Sequence, residues 1–483
     1  MSADSVRPVP AAEVGRWDDE ADVVVVGLGC AGASAALEAA EAGARVVVLE
    51  RASAGGGASA MAGGSIYLGG GTPVQEACGF TDTAEDMFRF LMAACGPDAD
   101  EVKVREYCDG SLEHFDWLVA HGVPFKGSYH EAPVYEVLTD DGLQLSGGET
   151  AWPFSTVAPP VPRGHCPQVE QRSGVKLMEA LIDALAATDA RTCTDTTVQR
   201  LVVDADRRVV GVVARHYGDE LAIRARGGVV LTAGGFSFND EMVRQHAPWL
   251  DDPRCFKLGT DGDDGRGIRM AQAVGAAVRH MDSAEVSCPA PPHVLMPSLL
   301  VNAAGQRFIN EDVYHGRAGQ AAVFRQDKDV FLVLDLATYE ANPSFLKITW
   351  AAETVAELED DMGLPEGSLQ ATVELYNRHA VKGEDPLFHK APEWARPLEP
   401  PFGAIDLRGG IYGVFTLGGL HTLPTGQVLD LDGGPVEGLY AAGRTTSGIP
   451  ARGYVSGISL GDGTFFGRRA GRHAAGVGAG AGS

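Results

Sequence analysis

The chain reads as an α/β protein in which a mostly parallel, helix-covered sheet is interrupted by a second, inserted α+β unit. Three observations predict this. A strand, a glycine turn, a helix and a second strand follow one another over residues 22–51. Strand-then-glycine-turn segments return far downstream, at 227–236 and 434–448. Between them, from about Ala277 to Pro401, glycine punctuation stops, prolines are frequent, and helix and strand patterns mix.

In chain order, Asp22–Val26 is a short β-branched run without alternation, the mark of a buried parallel strand. Ala31–Ala42 is rich in helix formers, Gly43 stops it, and Arg45–Leu49 is a second buried strand, completing one βαβ unit. A Gly/Ala/Ser loop, residues 51–71, comes next. Helices are predicted over "TAEDMFRFLMAAC" and "EVKVREYCDGSLEHFDWLVAHG", with Thr83 capping the first. Residues 125–172 read as loop-rich, with many prolines and glycines, and "VKLMEALIDALAAT" returns to helical spacing. "RLVVDADRRVVGVVARH" predicts a hairpin turning at Asp204 and Asp206. "GGVVLTAGGF" is a further buried strand entering a glycine turn, as is "GPVEGLYAAGRTTSG". "SLGDGTFFGRRAGRHAA" is the closing helix, and the final "AAGVGAGAGS" reads as a frayed tail. The division expected is 1–276 and 405–483 for the two parts of one domain, with 277–404 inserted.

Charge and cysteine usage remove several function classes. The 483 residues carry 39 Lys and Arg against 65 Asp and Glu, a net charge of −26. A nucleic-acid or anionic-membrane partner would require the opposite sign. Eight scattered cysteines without a CxxC pair point to neither a zinc site nor an iron–sulfur cluster, so no metal is expected. "DGDDGRG", residues 261–267, lacks the calcium-loop pattern. The N-terminus shows no signal-peptide apolar region and no run reaches membrane-spanning length, so a cytoplasmic location is expected.

Gly27, Gly29 and Gly32 form G-x-G-x-x-G between the first strand and its helix. The first glycine makes the turn, the second admits a pyrophosphate, and the third lets helix pack on strand. The helix N-terminus then faces the phosphates. Glu50 ends the second strand, where an acid binds the ribose hydroxyl and disfavours a 2′-phosphate. A second glycine turn and helix close the chain some 400 residues later, which suits the long FAD better than NAD.

On these stretches the chain resembles the fumarate reductase / 3-ketosteroid dehydrogenase flavoprotein family. The likeness is carried by "VVVVGLGCAGASAALEAAEAG", "SAMAGGSIYLGGG", "VVLTAGGFSFN", "LVNAAGQRFINED", "GLYAAGRTTSGI" and "GYVSGISLGDGTFFGRRAG". With "NEDVYHGR", "PARGYVSGISLGDG" looks most like the 3-ketosteroid Δ4-(5α)-dehydrogenases. The resemblance implies a Rossmann-like, glutathione-reductase-type FAD domain carrying an inserted α+β capping and catalytic domain, with the active site between them. It implies FAD contacts at Gly27, Gly29, Cys30, Ala31, Gly32, Glu50, Arg51, Ser59, Ala62, Gly63 and Gly64. Further contacts would be Val202, Ala233 and Gly234, then Gly443, Arg444, Ser459 and Leu460 at the flavin end. Two departures stand out. Arg444 replaces an acid that often follows the "AAG" turn, and the loop Arg51–Gly71 has no histidine, so FAD is expected to be non-covalent.

Oxidation across the α,β bond of a ketone needs an α-proton acceptor, a donor to the enolate oxygen and a hydride sink at flavin N5. The resemblance implies Tyr454 at the carbonyl oxygen, Ser456 as the proton acceptor and Tyr314 as its relay to solvent. Tyr454 and Ser456 are two apart, so an extended segment turns both to one side. Arg317, Arg452, His165, His293, His315 and His421 are competing polar residues, read as structural. The expected activity is C4–C5 desaturation of 3-keto-(5α)-steroids, with an unidentified electron acceptor as partner. The alternatives are Δ1-desaturation or reduction of an activated alkene such as a dicarboxylate. The apolar stretch "SAEVSCPAPPHVLMPSLLV", residues 283–301, favours a slot for a steroid over paired cations.

Overall fold

A computed structural model describes residues 6–170, 172–341 and 346–476; the C-terminal tail from 477 lies outside them. Its framework is a nine-stranded sheet among the described residues. Asp19–Val26 lies parallel to Val46–Leu49, with Val23 opposite Val46 and Val26 opposite Leu49. The valines on these strands are buried on both faces, which is why their sequence shows no alternation. Between the strands runs the glycine helix, Cys30–Glu41.

The predicted strand at 227–236 is longer than its sequence suggested. Asp219–Leu231 pairs antiparallel with the hairpin strand Val209–His216 over its first half. Its second half runs parallel to Asp19–Val26 and to Pro435–Ala441. This strand joins the hairpin to the parallel core and brings the late glycine turn beside the early one. The predicted hairpin forms as Thr196–Val203 and Val209–His216, its first strand beginning four residues before the predicted stretch. Thr83 caps Ala84–Ala94 by accepting from the Asp86 amide.

The closing helix, Ile458–Ala474, lies directly on the glycine helix. Gly467 and Gly471 make this approach possible, since a Cβ there would strike the Ala31 and Ala35 carbonyls. Residues 125–172 are not all loop. Leu143–Gln144 and Gly164–His165 belong to a small sheet with Ile66–Tyr67 and Tyr129–His130. Strands of two residues are too short for periodicity to reveal.

Between residues 299 and 406, Leu299–Asn302, Val330–Asp335, Phe402–Asp406 and Trp350–Ala352 form an antiparallel sheet. With the helices Val355–Met362 and Ser368–Ala380 it has its own apolar core, including Leu299, Phe331, Leu358 and Val373. Beside it, Arg307, Glu311, Asp385 and Lys390 form a buried ionic cluster. The start of the segment 277–404 is laced elsewhere: Ala284–Ser287 pairs antiparallel with Tyr412–Thr416. That pairing sets the strand carrying Glu285 beside the late part of the chain.

Candidate active site

A cavity of about 1040 Å³ runs from the glycine turn of the βαβ unit to the N-terminus of the closing helix. It reaches the upper end of the ~300–1,000 Å³ of small-molecule sites. At one end, Gly27 has φ +101, and a Cβ there would stand 2.6 Å from the Thr232 carbonyl oxygen. The turn therefore needs glycine twice over, for its backbone sign and for space. Gly29 and Cys30 open the glycine helix, which no side chain caps, toward the cavity. The Cys30 amide donates to Ser59 Oγ at 3.1 Å. Glu50 Oε2 accepts the Leu28 amide at 2.7 Å and Oε1 the Ala52 amide at 2.8 Å, so the carboxylate is fixed at the strand end.

Gly27, Gly29, Cys30, Ala31, Glu50, Arg51, Ser59, Ala62, Gly63, Gly64, Ala233 and Gly234 all line this end. Gly32 does not. It sits beneath the turn, where a Cβ would meet the Gly27 carbonyl, which is the packing role its motif position predicts. Val202 is also off the wall; it is fully buried, and Val198 lines the cavity on the same strand. A bulge between Arg200 and Val198 reverses the side-chain alternation and puts 198 and 202 out of phase.

At the other end, Gly443, Arg444, Ser459 and Leu460 line the cavity with Tyr314, Tyr454 and Ser456. The closing helix has Gly457 at its N-cap with φ 94 and no side-chain cap, so its positive end faces the space. Arg444 is not a free cation. Its guanidinium donates to Asp263 Oδ2 at 2.7 Å, and its charge lies 5.4 Å from the centre of the Phe415 ring. Asp263, from the "DGDDGRG" stretch, also accepts the Gly235 amide at 2.9 Å.

Tyr454 Oη accepts the Ser459 amide at 3.4 Å, and Phe415 meets its ring edge-on at 5.3 Å. Tyr314 sits at the N-cap of His315–Gln326, its ring 6.2 Å from that of Tyr454. Burial holds the hydroxyls of Tyr314 and Tyr454 well above the ordinary tyrosine range, so both are neutral donors. Tyr314 donates to Glu285 Oε1 at 3.0 Å. Burial pushes the Glu285 carboxyl up to about 8. The sequence reading missed Glu285. The available signal was a lone acid in the apolar stretch 283–301, of which Ser287, Cys288 and Pro289 also line the cavity.

Of the competing residues, only His315 reaches the cavity, and burial pushes its imidazole down to about 3, so it is neutral. Arg317 donates to the Ala94 carbonyl at 3.0 Å, and Arg452 to Asp282 at 2.6 Å. His165 bonds Thr72 and the Arg163 carbonyl inside the protein. His293 and His421 stand away from the wall. Among the described residues no cluster suited to a metal ion occurs, and no helix is long and apolar enough to cross a membrane.

A long cavity with an uncapped helix N-terminus at each end, a glycine turn and a terminal acid fits FAD. Residues 22–460 match the family described as FAD binding domain. The chain belongs to this FAD-binding flavoprotein family and is an FAD-dependent oxidoreductase. It is similar to the crystal structure of 3-ketosteroid-Δ4-(5α)-dehydrogenase from Rhodococcus jostii RHA1 in complex with 4-androstene-3,17-dione. The two are 52% identical with a TM-score of 0.95, covering 97% of this chain and 100% of the other. The 3-oxo-5-α-steroid 4-dehydrogenase of Comamonas testosteroni is 29% identical, over 91% of this chain and 95% of its own. The fumarate reductase (cytochrome) of Shewanella frigidimarina is 27% identical, over 95% and 77%.

Proposed function

We propose that this protein is a 3-ketosteroid dehydrogenase that introduces a C4–C5 double bond into 3-keto-(5α)-steroids. The observation that carries the reading is the cavity wall itself: two neutral tyrosine hydroxyls and a serine line it, and Arg444, a cation on the same wall, is already paired with Asp263. A dicarboxylate would need unspent cations, whereas a neutral ketone needs a hydrogen-bond donor. The 52% identity to a dehydrogenase holding a steroid enone supports the same substrate class.

FAD bound along the cavity supplies a hydride acceptor at N5. The chain's own residues deal with the proton. Tyr454 donates to the 3-oxygen and stabilises the enolate that forms as C4 loses its proton. Ser456 accepts that proton while passing its own toward Tyr314. Phe415 and the walls around Tyr314 exclude water, which strengthens these hydrogen bonds. The segment 277–404 acts as the cap over the substrate, supplying Glu285 and Tyr314. With no histidine in the loop 51–71, FAD is held without a covalent bond.

The test is anaerobic. The yellow protein should bleach on adding 5α-androstane-3,17-dione and stay yellow with a 4-ene-3-ketone. Bleaching by the 4-ene-3-ketone would favour Δ1 chemistry, and no bleaching by either would refute the steroid assignment.

A further inference from the structure

Glu285 is a fully buried carboxyl with no cation paired to it among the described residues. It is 2% exposed and lies on the strand Ala284–Ser287, opposite Phe415. Its Oε1 accepts from Tyr314 Oη, while Oε2 is buried without a hydrogen-bond partner. Gly316 follows Tyr314 closely, and a Cβ there would collide with the Glu285 carboxyl, so the helix start makes room for it. As a purely structural acceptor for one hydroxyl, the carboxyl is a poor choice. An unpaired buried carboxylate is costly, and an amide would accept the same hydrogen bond without that cost.

We propose that Glu285 is the proton acceptor behind Tyr314, a positioning residue that draws the substrate's proton through the tyrosine. The inference rests on the roles given above to Ser456 and Tyr314. The C4–H bond breaks and its proton goes to Ser456 Oγ. The serine's own proton moves to Tyr314 Oη, and the tyrosine's to the Glu285 carboxylate. The electron pair left at C4 becomes the new π bond as the hydride leaves C5. Serine and tyrosine end as they began, and one proton rests on Glu285.

The surroundings keep the carboxyl poised. Tyr314 and Tyr454 face it as neutral hydroxyls, with Tyr135 beyond Tyr314 donating to the Cys288 carbonyl at 2.6 Å. His315, adjacent to Tyr314, is neutral because of burial. Arg317 on the same helix is near enough to favour the charged form, but its guanidinium is bonded to the Ala94 carbonyl. Burial outweighs that attraction and lifts the carboxyl to about 8. A carboxyl with that affinity is half ionised near pH 8, and proton acceptance is most effective where the pKa of the acceptor lies near the pH of the reaction.

The acceptor must be ionised, so flavin reduction by 5α-androstane-3,17-dione should accelerate as pH rises through about 8. In E285Q the limb should vanish and the rate above it fall by about 10–100-fold, with E285D restoring the limb. Infrared spectra of the FAD-loaded protein without substrate should show a protonated-carboxyl band that titrates over the same range and is missing from E285Q. An E285Q rate within about twofold of wild type, or an unchanged limb, overturns the relay alone. If E285Q does not load FAD, the wild-type profile decides, and a flat profile from about pH 6 to about pH 9.5 overturns it. Failure of every 3-ketosteroid to bleach wild type would instead sink the functional assignment, and the relay with it.

Discussion

Replacing Tyr454 by phenylalanine isolates one hydroxyl. The ring contacts are kept: Phe415 edge-on at 5.3 Å and Tyr314 at 6.2 Å lose nothing when the oxygen goes. The hydroxyl's protein partner is the Ser459 amide at 3.4 Å, beyond the usual range for a strong bond, so stability should change by less than about 1 kcal/mol. The lost function is larger. Burial keeps Tyr454 protonated, so on the proposed assignment it is a neutral donor to the developing enolate. Removal of one such donor elsewhere costs about 2.7–4 kcal/mol, or 10²–10³ in rate. Stopped-flow bleaching of FAD by 5α-androstane-3,17-dione under anaerobic conditions measures this directly. The variant should load FAD fully, melt like wild type and reduce its flavin 10²–10³ more slowly. A rate within about tenfold of wild type, at saturating steroid, would show that Tyr454 does not hold the carbonyl.

Ser456→Ala should also keep its flavin and lose about 10²–10⁴ in the same rate, because it removes the group proposed to take the C4 proton directly. Gly27→Ala places a Cβ 2.6 Å from the Thr232 carbonyl at φ +101, so it should purify with little FAD, read from the ratio of flavin to protein absorbance. Asp82→Asn strips the fully buried Arg163 of its carboxylate, bound at 2.6 and 2.9 Å, and should cost about 3–5 kcal/mol in denaturant unfolding. Acid precipitation should release all the yellow colour into the supernatant. Colour retained in the pellet would contradict non-covalent binding.

Legibility in the sequence followed the range of the interaction. The βαβ unit was readable because its strands are buried on both faces and its turn obeys local glycine rules. Thr83 as a cap was readable for the same reason. Val198, not Val202, lines the cavity because a bulge at the intervening residues depends on the partner strand's register. The small sheet joining Ile66–Tyr67 to strands from 125–172 stayed hidden because its strands are two residues long. Arg444 looked like a departure from a family pattern, and only the fold reveals that Asp263 pairs with it.

The FAD cradle is thus a property of sequence: its turn, helix start and terminal acid lie within 30 residues and act largely through backbone geometry. The proton path proposed above would be a property of tertiary structure. Glu285, Tyr314, Tyr454 and Ser456 come from three separate segments. Tyr314 reaches Glu285 because the helix beginning at His315 packs against Ala284–Ser287, and Tyr454 joins them through Phe415, which lies opposite Glu285 on the paired strand. No local rule encodes a meeting set by strand register and helix packing. The same burial raises the Glu285 carboxyl to about 8.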